Sequence, residues 1–136
     1  MRSWLRVGLV VAGLGSAGGA SGQDALTQRD GQGAVTVAVT LAGLPEVGVP
    51  IRVTVVLETH IVALDDVVFE RAVALRTPEG AEVVPTGMEG SRGSGHHREA
   101  VLVFPPVTQR GTVRIIVRNV GGIGERAFVW ELPAAQ

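Results

Sequence analysis

Cysteine does not occur in the 136 residues. Its absence excludes disulfide staples, a thiolate metal site, a cysteine nucleophile and a lipid-accepting cysteine behind a leader, so stability must come from packing. Lysine and tyrosine are missing as well, and Asn119 is the sole asparagine. That is a bias of codon usage and bears on no mechanism. All twelve basic residues are arginine, against thirteen acidic ones, for a formal charge of −1. With Arg2 and Arg6 set aside as part of a leader, ten arginines face the thirteen acids and the charge is −3. Nucleic acid, which rewards basic surfaces, is therefore not an expected partner.

Motifs of catalysis are also absent. There is no Gly-x-Ser-x-Gly elbow, and no glycine-rich phosphate loop that runs into a helix. The glycine-rich stretches run into strands instead, and the expectation is a protein that is not an enzyme.

One apolar run stands out, in "MRSWLRVGLVVAGLGSAGGASGQ". Arg2 and Arg6 precede the apolar residues Val7 to Leu14, and the small residues Ala20 and Gly22 occupy the −3 and −1 positions of a cut before Gln23. This is the three-part pattern of a secretory signal peptide over residues 1–22. Crossing a membrane takes about 20 predominantly apolar residues, and this run turns to Gly, Ser and Ala too early. The expected location is periplasmic or secreted, without stable membrane insertion after cleavage. Residues 23–33 are expected as a flexible lead-in and 34–136 as one domain.

The rest reads as β structure. "AVTVAVTL" (34–41) and "IRVTVVLE" (51–58) alternate with period two and are rich in β-branched residues, as half-buried strands are. Between them lies a loop punctuated by Pro45 and Pro50. A helical turn is expected at Asp65 to Glu70, then a strand at Ala72 to Arg76, a "TPEG" turn and a short return strand. "GSRGSGHHRE" (90–99) reads as a Gly/Ser loop leading into the strand "EAVLVF", which Pro105 and Pro106 stop. "TVRIIVRNV" and "ERAFVWEL" form a hairpin around "GGIG". Val113, Ile115 and Val117 share one face of its first strand, and Phe128, Trp130 and Leu132 share one face of its second. Phe128 and Trp130 are expected in the core. Glu70 with Arg71, and Glu125 with Arg126, read as solvated charges of little energetic weight. Seven short strands with almost no helix predict an all-β, two-layer antiparallel sandwich of immunoglobulin-like type, with a small closed barrel as the alternative.

The chain's three histidines carry what chemistry the sequence offers. His60 ends the strand "IRVTVVLETH", and strand alternation puts it on the side of Glu58, opposite Val55 and Leu57. His97 shares a side with Glu99, and His96 shares one with Arg98, Ala100 and Leu102. Adjacent histidines on a regular strand cannot both bind one ion, but a glycine-rich bend removes that restriction. Neutral imidazole binds Zn²⁺ and Cu²⁺, so His60, His96 and His97, with Glu58, Glu99 or Met88 nearby, form a candidate nitrogen and oxygen site. The competing reading has the histidines as surface or hydrogen-bonded structural residues, because their spacing is far less specific than a zinc-finger pattern.

The segments "LETHIVALDD", "ALRTPEGAEVVPTGMEG", "GSGHHREAVLVFP" and "VRIIVRNVGGIGERAFVWEL" together resemble a group of small exported bacterial proteins without an established activity. The shared pattern is Leu-x-Thr-His, then Leu-Arg-x-x-x-Gly, then Gly-Gly-His-His-x-x-Gly-x-Leu-x-Phe, then Arg-x-Phe-x-Trp. The likeness spans about residues 51 to 132. Thr59, His60, Gly95, His96, His97, Phe104, Arg126, Phe128 and Trp130 fit it, whereas Met88, Ser94 and Ala100 depart where the pattern has Trp, Gly and Gly. The resemblance implies that the three histidines belong to one recurring constellation. Two functions are therefore expected in competition. One is an exported copper-binding, or alternatively zinc-binding, protein. The other is an immunoglobulin-like envelope module whose exposed strand edge binds another protein.

Overall fold

The computed structural model describes residues 25–132, so the expected leader lies outside the described residues. It contains nine strands: β1 (Thr27–Asp30), β2 (Val35–Leu41), β3 (Ile51–Thr59), β4 (Val73–Arg76), β5 (Glu82–Val83), β6 (Gly87–Ser94), β7 (His97–Phe104), β8 (Thr112–Val120) and β9 (Ile123–Glu131). A one-turn helix, α1 (Phe69–Ala72), precedes β4. Two antiparallel sheets face each other, in the orders β1-β2-β3-β7-β6 and β5-β4-β8-β9. The sheets are not joined edge to edge into a closed barrel, and the sandwich is the architecture.

Alternation does the folding work. In β3, Ile51, Val53, Val55 and Leu57 are buried while Arg52 and Glu58 are exposed. In β8 and β9 the stripes Val113, Ile115, Val117 and Phe128, Trp130, Leu132 are buried, as their period requires. Val35, Val37, Val39 and Leu41 of β2 complete the facing layer. Each fully buried side chain of this size contributes about 1.5–3 kcal/mol, which is how a chain without disulfides holds together.

Four expectations need correction. The helical turn lies at Phe69–Ala72 instead of Asp65–Glu70, because Phe69 is the residue anchored in the core and Asp65 and Asp66 form a turn. The Gly/Ser stretch is not a loop. It is strand β6, paired with β7 from Gly87↔Val103 to Ser94↔His97, with a bulge between Met88 and Gly90. β1 pairs with β2 within the segment expected as a lead-in, so the sandwich begins before Ala34. Arg126 is not solvated: it is 2% exposed.

On the outer face of the four-stranded sheet, Glu82 accepts from Arg76 at 2.7 Å and from Arg118 at 2.9 Å, and Arg118 also donates to Glu125 at 3.0 Å. The hydrogen bonds from Arg118 and then Arg76 draw the Glu82 carboxyl down from 4.5 to about 2. The unfolded chain therefore takes up this proton at higher pH than the folded one does. Stability from this group is present above pH 4.5 and is lost as pH falls toward 2. Urea unfolding repeated across that window should show a midpoint that falls with acid, and Glu82→Gln should flatten the slope. An identical acid slope in the variant would show that the network does not set it.

Candidate functional site

The end of β3 and the β6–β7 turn meet because β3 pairs with β7 and brings Glu58 opposite His97. A two-residue turn, Gly95–His96, joins β6 to β7. Gly95 takes φ 64° at its first position, the geometry that favours glycine in tight hairpins. Gly93 takes φ 88°, and a Cβ there would stand 2.2 Å from the His97 carbonyl oxygen. No other residue fits without moving the strand.

The turn is clamped, not loose. Thr59 N–H donates to the His96 carbonyl at 3.0 Å and Leu64 N–H to the Gly95 carbonyl at 2.8 Å. Gly95 N–H in turn donates to Asp65 Oδ1 at 3.0 Å. Thr59 is buried and its hydroxyl donates to the Ala34 carbonyl at 2.7 Å, tying the end of β3 to the start of β2. Arg98 fastens the other side. Its Nη1 donates to the carbonyls of Leu64 and Val67, and its guanidinium lies 4.9 Å from the centroid of the Phe69 ring. That is within the range of a cation–π contact. Thr59, Asp65, Gly93 and Arg98 are thus the positioning residues; of these, Thr59 entered the sequence reading only through the resemblance and Arg98 only as a face neighbour of His96, and none was given a positioning role. Arg98 carried a signal, because it shares its face with the core residues Ala100 and Leu102.

His60, His96 and His97 all line one open depression of about 700 Å³, together with Glu58, Thr59, Ile61, Gly33, Ala34 and Thr36. All three histidines are exposed. His97 lies between two carboxylates, with Nδ1 3.3 Å from Glu58 Oε1 and Nε2 3.7 Å from Glu99 Oε2. Glu99 is also paired with Arg92 and does not line the depression. Met88 does not join the cluster. It sits opposite Leu102, six residues along β6 from the turn, about 20 Å away at a strand's rise. Among the described residues no three histidine, aspartate or glutamate side chains are placed to hold an ion together. As positioned, the arrangement is a shallow imidazole-lined depression on a rigid backbone, with exposed side chains free to change rotamer.

None of the convergence depends on flexible glycines alone. The sheet register brings the two segments together, and the backbone bonds to Thr59 and Leu64 fix the turn that presents His96. In comparisons with known proteins, the chain matches no family model, no curated sequence and no solved structure.

Proposed function

We propose that this depression is the metal-binding site of a non-catalytic protein directed out of the cytoplasm by its leader-like residues 1–22. The ion is Cu²⁺ ahead of Zn²⁺, held by His60, His96 and His97 with Glu58 as the oxygen donor. The carrying observation is that His60 and the distant pair His96 and His97 line a single depression beside a carboxylate. Imidazole without thiolate suits Cu²⁺, which also tops the divalent affinity order. The donors gather by rotation of exposed side chains on a fixed backbone, at the modest cost of a rotamer change. When one nitrogen of His97 ligates, the other is positioned to donate to a carboxylate, the arrangement that orients ligating imidazoles.

Titration of untagged, metal-free protein with Cu²⁺ and Zn²⁺ tests the reading. One equivalent should bind with submicromolar affinity, and binding should weaken in acid, because protonated imidazole cannot ligate. His60→Ala should lower the affinity at least ~10-fold, the effect of about 1.4 kcal/mol. Its stability should stay within about 0.5 kcal/mol of the parent, as for exposed positions. Equal binding by parent and variant, or no binding by either, contradicts the proposal.

A further inference from the structure

A sandwich leaves sheet edges whose free N–H and C=O groups accept another strand unless something blunts them. On one flank β1 and β9 close on each other. The Gln28 carboxamide donates to the Val129 carbonyl and accepts from the Val129 N–H at 3.0 Å, reproducing with a side chain the bonds that a neighbouring strand would make. On the other flank β5 is two residues long, and Pro85 follows closely. β6 carries a bulge and two charged residues but is neither short nor covered: it is eight residues long and exposed throughout. Five of its residues are Gly or Ser, so no bulky side chain obstructs a second strand. Every second residue of an antiparallel edge turns its backbone groups outward.

The charges beside this edge are self-complementary. Glu89, the extra residue of the bulge, accepts from Arg52 of β3 at 2.9 Å, and Arg92 pairs with Glu99 of β7. An antiparallel copy of β6 about a two-fold axis at Ser91 sets Arg92 of each copy opposite Gly90 of the other, next to Glu89. Across the join the row then runs Arg52, Glu89, Arg92, Glu99, alternating in sign, with the last two from the second copy. A depression of about 360 Å³ lined by Gly90, Ser91, Arg92, Glu99 and Val101 lies along this edge.

We infer that β6 is a self-association edge, pairing antiparallel with β6 of a second copy to join two five-stranded sheets into one. The contact is small and polar, so the dimer is weak, with a dissociation constant on the order of 10 μM. Sedimentation of the protein from about 1 μM to about 1 mM should show a reversible rise toward the dimer mass. Added salt should diminish that rise.

Arg92→Glu and Glu89→Arg each set like charges across the join in their own homodimer and should raise the dissociation constant at least ~10-fold. Mixed in equal amounts they form complementary pairs at both ends of the join, and the dimer should return. Restoration on mixing is a readout that a merely structural role for either residue would not produce. The inference is overturned by a parent that stays monomeric at about 1 mM, which would leave the edge to a strand of another protein. It is equally overturned by variants that dimerise like the parent, or by a mixture no more dimeric than its components.

Discussion

Arg126→Met should unfold at a markedly lower urea concentration than the parent, equivalent to a loss of about 3–5 kcal/mol, the range for removing one member of a buried charge network. Arg126 stands in β9 in the same stripe as Phe128 and Trp130, and its guanidinium reaches into three parts of the chain. It donates to the carbonyls of Asp30 at 3.1 Å, Val35 at 2.9 Å and Val120 at 3.0 Å, and lies 3.4 Å from Asp30 Oδ1. One side chain therefore ties the β1–β2 connection of one sheet to the β8–β9 hairpin of the other. Desolvation pushes the guanidinium's pKa down and Asp30 pulls it back up.

Methionine would fill much of the stem's volume and leave those carbonyls without their donor. The Arg126 Nε is itself buried without a partner, which limits what the native arrangement gains. Arg126→Lys keeps the charge and loses the fork that reaches several carbonyls at once, so it should fall between parent and Met variant. A Met variant with an unchanged midpoint would show that these bonds are replaced at no cost.

Trp130→Ala should cost about 3–5 kcal/mol, as truncation of a large core aromatic does. Trp130 is 7% exposed among the core residues of both sheets, and its Nε1 donates to the Ala25 carbonyl at 3.2 Å. Trp130→Phe keeps most of the apolar contact and loses that bond, a loss of about 0.5–1.5 kcal/mol added to a smaller packing defect. The difference between the two variants, read from urea midpoints at constant slope, separates packing from the hydrogen bond. If alanine and phenylalanine variants unfold together, the ring is not packed as described.

These two residues show how far the sequence could be read. Period-two stripes in β2, β3, β8 and β9 are local signals, and each buried the face its pattern predicted. Trp130 was legible for that reason. Arg126 lies in the same stripe, yet its charge type suggested solvent. What buries it is a set of carbonyls contributed by residues about 90 positions earlier, Asp30 and Val35, whose sequence separation from it reaches 96. No local rule encodes that.

β6 was misread for a related reason. Glycine and serine have low strand propensity, and "GSRGSG" becomes a strand only because β7 offers a paired edge. The helical turn moved to Phe69–Ala72 because Arg98, distant in sequence, holds the Leu64 and Val67 carbonyls in a non-helical connection. At the candidate site, strand phase put His97 on the side of Glu99, and the two lie 3.7 Å apart, whereas β3 ends at Thr59 and its phase does not reach His60. The convergence of His60 with His96 and His97 follows from the β3–β7 register, a long-range pairing that no spacing in the sequence specified.

Electron paramagnetic resonance of the protein loaded with one equivalent of Cu²⁺ tests the metal-site proposal most directly, because nitrogen couplings count the imidazoles on the ion. The account predicts a single bound species with more than one imidazole nitrogen, and a spectrum with fewer nitrogens for His60→Ala and for His96→Ala. A spectrum of aqueous Cu²⁺, or one that neither substitution changes, would contradict it.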